Sequence, residues 1–140
     1  MKQLLISLFL FPLLAAASPY VYTGEFQSMS SNGTPCDNVF TDQKFRTQHF
    51  ITGPTHLTSV IHFKSVNNTG LFHNASLVGN NDGWGRLRVE RDLIQNGITY
   101  RVVADGMYDR EFILLDVEVQ AFNDVNAPAL CKATAQFSAY

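Results

Sequence analysis

From Tyr20 onward, apolar and polar residues alternate in short runs that are broken at fairly regular intervals by turn residues. Ser31-Asn32-Gly33, Gly53-Pro54, Asn68-Thr69-Gly70, Asn80-Asn81-Asp82-Gly83, Asn96-Gly97, Asp105-Gly106 and Asn126-Ala127-Pro128 supply the breaks. The runs between them are rich in Val, Ile, Thr, Phe and Tyr. Successive side chains of a strand face opposite ways, so these runs read as half-buried strands. No segment in this region keeps a 3.6-residue apolar period long enough to argue a helix, apart from a short helical turn near residues 37–44.

Two hairpins can be registered from sequence. Asn96-Gly97 is a preferred pair for a two-residue type I′ turn. It sets Gln95 opposite Ile98, Leu93 opposite Tyr100, Arg91 opposite Val102 and Val89 opposite Ala104. Leu87, Val89, Leu93, Tyr100, Val102 and Ala104 then share one face, and Asp92 meets Arg101 across the other. A three-residue loop at Asn68-Thr69-Gly70, with Gly70 left-handed, sets Phe63 opposite Ala75 and Ile61 opposite Leu77. It turns Asn74 outward with Phe72, Ser76 and Val78, and places His62 outward and His73 inward. In the later runs, Ile113, Leu115, Val117, Val119 and Ala121 form one face, as do Cys131, Ala133, Ala135, Phe137 and Ala139.

With a first strand at 20–29 and another at about 44–51, the count is about eight. Successive strands joined by short turns predict an all-β antiparallel meander, closed or nearly closed into a small barrel. A two-sheet β-sandwich is the alternative, because alternation alone does not distinguish them. A lipid-facing barrel is disfavoured, since Lys132, Thr134, Gln136 and Ser138 make the outer face of the last run polar.

The start of the chain follows a different rule. Lys2, the apolar run from Leu4 to Leu14 and Ala15-Ala16-Ala17 have the layout of a secretory signal peptide, cut after Ala17. The run is shorter than the about 20 residues a spanning helix needs. The expected organisation is therefore a leader at 1–17 and a single all-β domain at 18–140, secreted outside the cell or to a periplasm, with no membrane insertion. The chain holds 10 basic and 12 acidic residues. Without a basic cluster it lacks the footprint of nucleic-acid binding. Cys36 and Cys131 are the only cysteines, and in an oxidising compartment they are expected to pair. Sequons begin at Asn32, Asn67 and Asn74, which makes these glycosylation candidates if the source is eukaryotic.

Candidate chemistry is sparse. His49, His56, His62 and His73 show no metal-ligand spacing. No catalytic elbow or glycine-rich phosphate loop occurs, so no metal or cofactor is expected. Four residues stand out as ligand or partner candidates. Arg91 lies on the apolar face of its strand, between Val89 and Leu93, and must find a partner or stay wet. Trp84, the sole tryptophan, sits between Gly83 and Gly85, either plugging one end of a barrel or anchoring a partner. Asp105 and Tyr108 flank what reads as an Asp-Gly-Met-Tyr turn before Asp109.

The segment Ala104-Asp105-Gly106-Met107-Tyr108 resembles the small-Gly-x-Tyr loop of periplasmic lysozyme inhibitors over five residues, without that loop's serines. This resemblance implies an extracellular inhibitor. The leading expectation is a secreted, non-enzymatic binding module. It would act on a partner protein or glycan through its loops, or hold a small molecule in its interior. The rivals are a small barrel enzyme using Arg91, Asp105 or Asp109 in acid–base chemistry, and a structural surface protein.

Overall fold

A computed structural model describes residues 19–40, 43–65 and 70–140. Eight strands run in chain order: β1 Tyr20–Ser31, β2 Phe45–Thr52, β3 Thr58–Ser65, β4 Ala75–Asn81, β5 Arg86–Gln95, β6 Ile98–Tyr108, β7 Ile113–Phe122 and β8 Cys131–Ala139. Each pairs antiparallel with the next, and β1 pairs with β8, giving one closed barrel. Closure removes free sheet edges and lets eight short strands bury one face each. A three-residue 3-10 turn at Cys36–Asn38 replaces the longer turn predicted at 37–44. The leader at 1–17 and the sequon at Asn67 lie outside the described residues.

The β5–β6 hairpin has the predicted register, from Gln95 opposite Ile98 through Val89 opposite Ala104. Asn96 and Gly97 both take positive φ, 52° and 77°, as the type I′ turn demands. Asp92 and Arg101 meet across it in a two-bond ion pair at 3.1 and 3.3 Å. The predicted β3–β4 register also holds, with Ile61 opposite Leu77 and Phe63 opposite Ala75. The connection is longer than three residues, however, because β3 stops at Ser65 and β4 starts at Ala75. Residues 70–74 form turns, and this frees Phe72 to swing inward, where it is buried rather than facing out.

The predicted turn at Asp105-Gly106 lies within β6, which runs on unbroken to Tyr108. Gly106 faces the interior, and a Cβ there would lie 1.9 Å from the Leu114 carbonyl oxygen. Gly79 on β4 has the same relation to the Arg88 carbonyl oxygen, also at 1.9 Å. Glycine acts at both places by letting neighbouring backbones approach as the wall curves, a role that resembles a turn signal in sequence. Since residues 104–108 are strand, the likeness to an inhibitor loop has no loop to rest on.

The interior has two zones. Around Phe26, ring centroids of Phe40, Phe72, Phe137, Phe45 and Phe63 lie at 4.8, 4.8, 5.1, 5.4 and 6.1 Å. At that end Cys36 and Cys131 form the disulfide, joining residues 95 apart in sequence. Ala133, Ala135 and Ala139 are buried beside Val117, Val119 and Ile113, so the small residues of β8 mark a tightly filled wall. At the opposite end, the inward positions of β2, β3 and β4 carry polar groups: Thr47, His49, Ser59 and Asn81 are all buried.

Candidate functional site

The polar end of the barrel carries three loops, 53–57, 82–85 and 109–112, together with the start of β1 and the end of β8. Their backbones are pinned by short polar side chains, as Asn and Asp do in turns. Asp82 Oδ1 accepts the N–H groups of Trp84 at 2.7 Å and Arg86 at 3.1 Å. These bonds hold the Asp82 carboxyl below its ordinary pKa. Asn81 Oδ1 accepts the Gly83 N–H at 2.9 Å. The Gly85 carbonyl accepts the Tyr108 N–H at 2.9 Å, tying the loop to β6. Asp109 Oδ1 accepts the N–H groups of Glu111 and Phe112 at 2.6 and 3.0 Å.

On this fixed loop Trp84 points into solvent, 92 % exposed. It does not plug the barrel. Leu57 comes close beneath the loop, 3.5 Å from where a Gly83 Cβ would sit, and is itself exposed. Met107, opposite Arg86 on β6, is exposed as well. Phe112 and Leu114 are half-buried and Phe122 is buried, so none of them adds to this exposed apolar surface.

Below the loops lies a hydrogen-bonded line that the sequence reading passed over. Asn81 Nδ2 donates to the His56 carbonyl at 3.2 Å and to Ser59 Oγ at 3.0 Å. Ser59 Oγ lies 2.9 Å from His49 Nε2. The Ser59 hydroxyl, which accepts from Asn81, still has a hydrogen and a lone pair to offer Nε2, so it bonds the imidazole in either tautomer. Nδ1 has no hydrogen-bond partner among the described residues. Tyr108 packs edge-on against the imidazole at 4.6 Å and Tyr20 at 6.0 Å. Burial lowers the His49 pKa from 6.5 to about 4, so the ring is neutral at pH 7. Nearby, Tyr22 donates its hydroxyl to the Asp109 carbonyl, and burial, then the Asp109 charge, push its pKa up.

A Ser–His pair at 2.9 Å has the spacing of a nucleophile and its base. Here Ser59 is 0 % and His49 1 % exposed, so no substrate reaches the hydroxyl in this conformation. A readable signal did exist. Thr47 and His49 are in phase with Phe45 and out of phase with Arg46 and Gln48, while Ser59 is in phase with Ile61 and Phe63.

The structure separates the other candidates. Asp105 is on the outer wall, paired with Arg88 at 2.8 Å and directly opposite Asp116 on β7. Both line a shallow outer concavity of about 460 Å³ that also takes in Ser28, Glu118 and Thr134. Arg91 is exposed, although its strand phase points inward. The β4–β5 ladder spans only Val78–Asn81 against Leu87–Glu90. Beyond Glu90 β5 leaves that ladder, and the Arg91 guanidinium donates to the Ser76 carbonyl at 3.3 Å. Arg91, Asp105 and Asp109 therefore do not converge as an acid–base set. Of the four candidates, Trp84 and Tyr108 are linked only through the Tyr108 backbone bond to Gly85, the Tyr108 ring facing His49 and the Trp84 ring facing solvent. Asn32 and Asn74 are exposed in the loops of the disulfide end. Among the described residues no three His, Cys, Asp or Glu side chains cluster as a metal site, and no helix is long and apolar enough to cross a membrane.

No family model, curated protein or solved structure matches the chain.

Proposed function

We propose that this chain is a secreted binding module that engages a partner protein through the loop end presenting Trp84. One observation carries the reading: an almost fully exposed tryptophan on a loop whose backbone is already tied down by Asn81, Asp82 and Tyr108. An indole displayed on a rigid loop buries a large area on binding and loses little entropy doing so. Leu57 and Met107 extend the apolar centre, while Arg86, Arg110 and Glu111 supply a charged rim.

A protein partner fits better than a glycan. Sugar hydroxyls need free amides or carboxylates beside the aromatic face, and Asn81 and Asp82 are already hydrogen-bonded to the loop backbone. The Phe-packed interior leaves the small-molecule version without support. Secretion is supported by the leader-like residues 1–17 and by the disulfide.

The test is capture of partners from the native extracellular milieu with the wild-type chain, Trp84→Ala, and Ile94→Ala as a control. Ile94 is also exposed, at 78 %, but lies at the tip of the β5–β6 hairpin. Trp84→Ala should weaken the captured interaction about 30-fold or more, as hot-spot truncations do, and Ile94→Ala should leave it unchanged. Equal capture by all three would overturn the reading, and binding to immobilised glycans alone would shift it from protein to sugar.

A further inference from the structure

His49, Ser59 and Asn81 form an unbroken hydrogen-bonded line from the barrel interior to two of the three loops at the Trp84 end. We propose that this line is an acid-sensitive latch: proton uptake by His49 releases the 53–57 and 82–85 loops, and with them the Trp84 face, while the rest of the barrel stays folded. The idea rests on the reading of that face as the docking surface.

In the neutral state every group along the line is used except His49 Nδ1. Asn81 spends both amide hydrogens on His56 and Ser59 and its oxygen on Gly83. Ser59 accepts from Asn81 and is hydrogen-bonded to His49. A second proton makes both ring nitrogens donors. Nδ1–H is then a buried donor with no partner among the described residues, and a positive charge appears in a buried position.

Nothing nearby compensates for that charge. The titratable groups around this end are the phenols of Tyr20 and Tyr22 on β1 and Tyr108 on β6, with His56, Asp82 and Asp109 in the loops and the exposed Arg86, Arg110 and Glu111 at the rim. The Asp82 and Asp109 carboxylates accept backbone N–H groups in their own loops. From β3 and β4 the neighbours are the neutral Ser59 and Asn81. On β2 itself the next inward residue is Thr47, whose hydroxyl has no hydrogen-bond partner among the described residues. No ion pair forms at His49 among the described residues. A buried cation without a partner is relieved by contact with water.

The loops that Asn81 holds lie at this end of the barrel, and we assign water entry to their opening. Opening them breaks the bonds to Gly83 and His56 and leaves the Phe26 cluster and the disulfide intact. A local opening of this kind lies below global unfolding in free energy.

The test is amide hydrogen exchange by NMR on the free protein between pH 7 and 4, with intrinsic exchange rates divided out. Each pH unit below 6.5 favours the protonated open form up to tenfold. The Gly83 amide should therefore lose protection on the order of 100-fold by pH 4, while β7 amides such as that of Val119 keep theirs. His49→Gln should abolish the step. Unchanged Gly83 protection at pH 4, a parallel loss at Val119, or the same step in His49→Gln would each overturn the latch. If His49→Gln does not fold, Asn81→Ala serves instead: its loops should be open at every pH, and a surviving acid step would overturn the proposal. No partner enters this experiment, so it can fail while the Trp84 docking surface stands, and the reverse also holds.

Discussion

At the end of the barrel held by Cys36 and Cys131, six phenylalanine rings fill the interior around Phe26. At the other end, Thr47, His49, Ser59 and Asn81 occupy equivalent inward positions, and the last three join one another and the loops by hydrogen bonds. Aromatic packing is non-directional and gains stability from buried area. A buried polar line gains little net stability, but it fixes which atoms face which. One end is thus suited to holding the fold, and the other to holding loops in a single conformation beneath an exposed tryptophan.

Four measurements can break or sharpen that contrast. The largest effect is expected from Cys36→Ala with Cys131→Ala. Removing a cross-link over a 95-residue separation should lower unfolding free energy by about 4–5 kcal/mol in denaturant melts. Phe26→Ala should cost about 3–5 kcal/mol, since it deletes the hub of the cluster. A value below about 1 kcal/mol would mean that the rings are not mutually packed.

Acid probes the opposite end. The unfolded chain protonates His49 near pH 6.5 and the folded chain near 4. The unfolded state therefore binds more protons between those values. The contribution of neutral His49 is complete above pH 6.5 and is lost as the pH falls toward 4, by about 3 kcal/mol in all. His49→Gln should flatten this dependence in pH-resolved melts. The smallest effect belongs to the most visible residue: Trp84→Ala should change stability by less than about 0.5 kcal/mol, because Trp84 is almost fully exposed in the folded state.

The parts that were legible in the sequence are those where a single local rule decides the outcome. Asn96-Gly97 admits one turn type, and the rest of the β5–β6 register follows from it. Alternation gave the inward faces of β7 and β8 for the same reason. Misreadings came where one residue type serves two purposes. Gly106 lets a neighbouring backbone come close within a strand where another glycine would end one, and Phe72 turns inward because the 70–74 turns release it from the alternation. Arg91 keeps the inward phase but stays wet, because the β4–β5 ladder ends beside it. His49, Ser59 and Asn81 were hidden by the pattern itself: a polar residue facing the interior contradicts the signal that locates the interior. Only the phase of its apolar neighbours reveals it.

The seam between the first and last strands has a bearing on how the molecule is made. Gly24 lies opposite Ala139, and Thr23 and Tyr140 exchange two backbone hydrogen bonds. The ring therefore joins residues more than a hundred positions apart, and such non-local pairing is slow to find. A growing chain that still lacks β8 has neither this seam nor the partner thiol for Cys36. The barrel can therefore close only after its last strand has been made, so any pause in synthesis before β8 leaves both β1 and β7 with an unpaired edge.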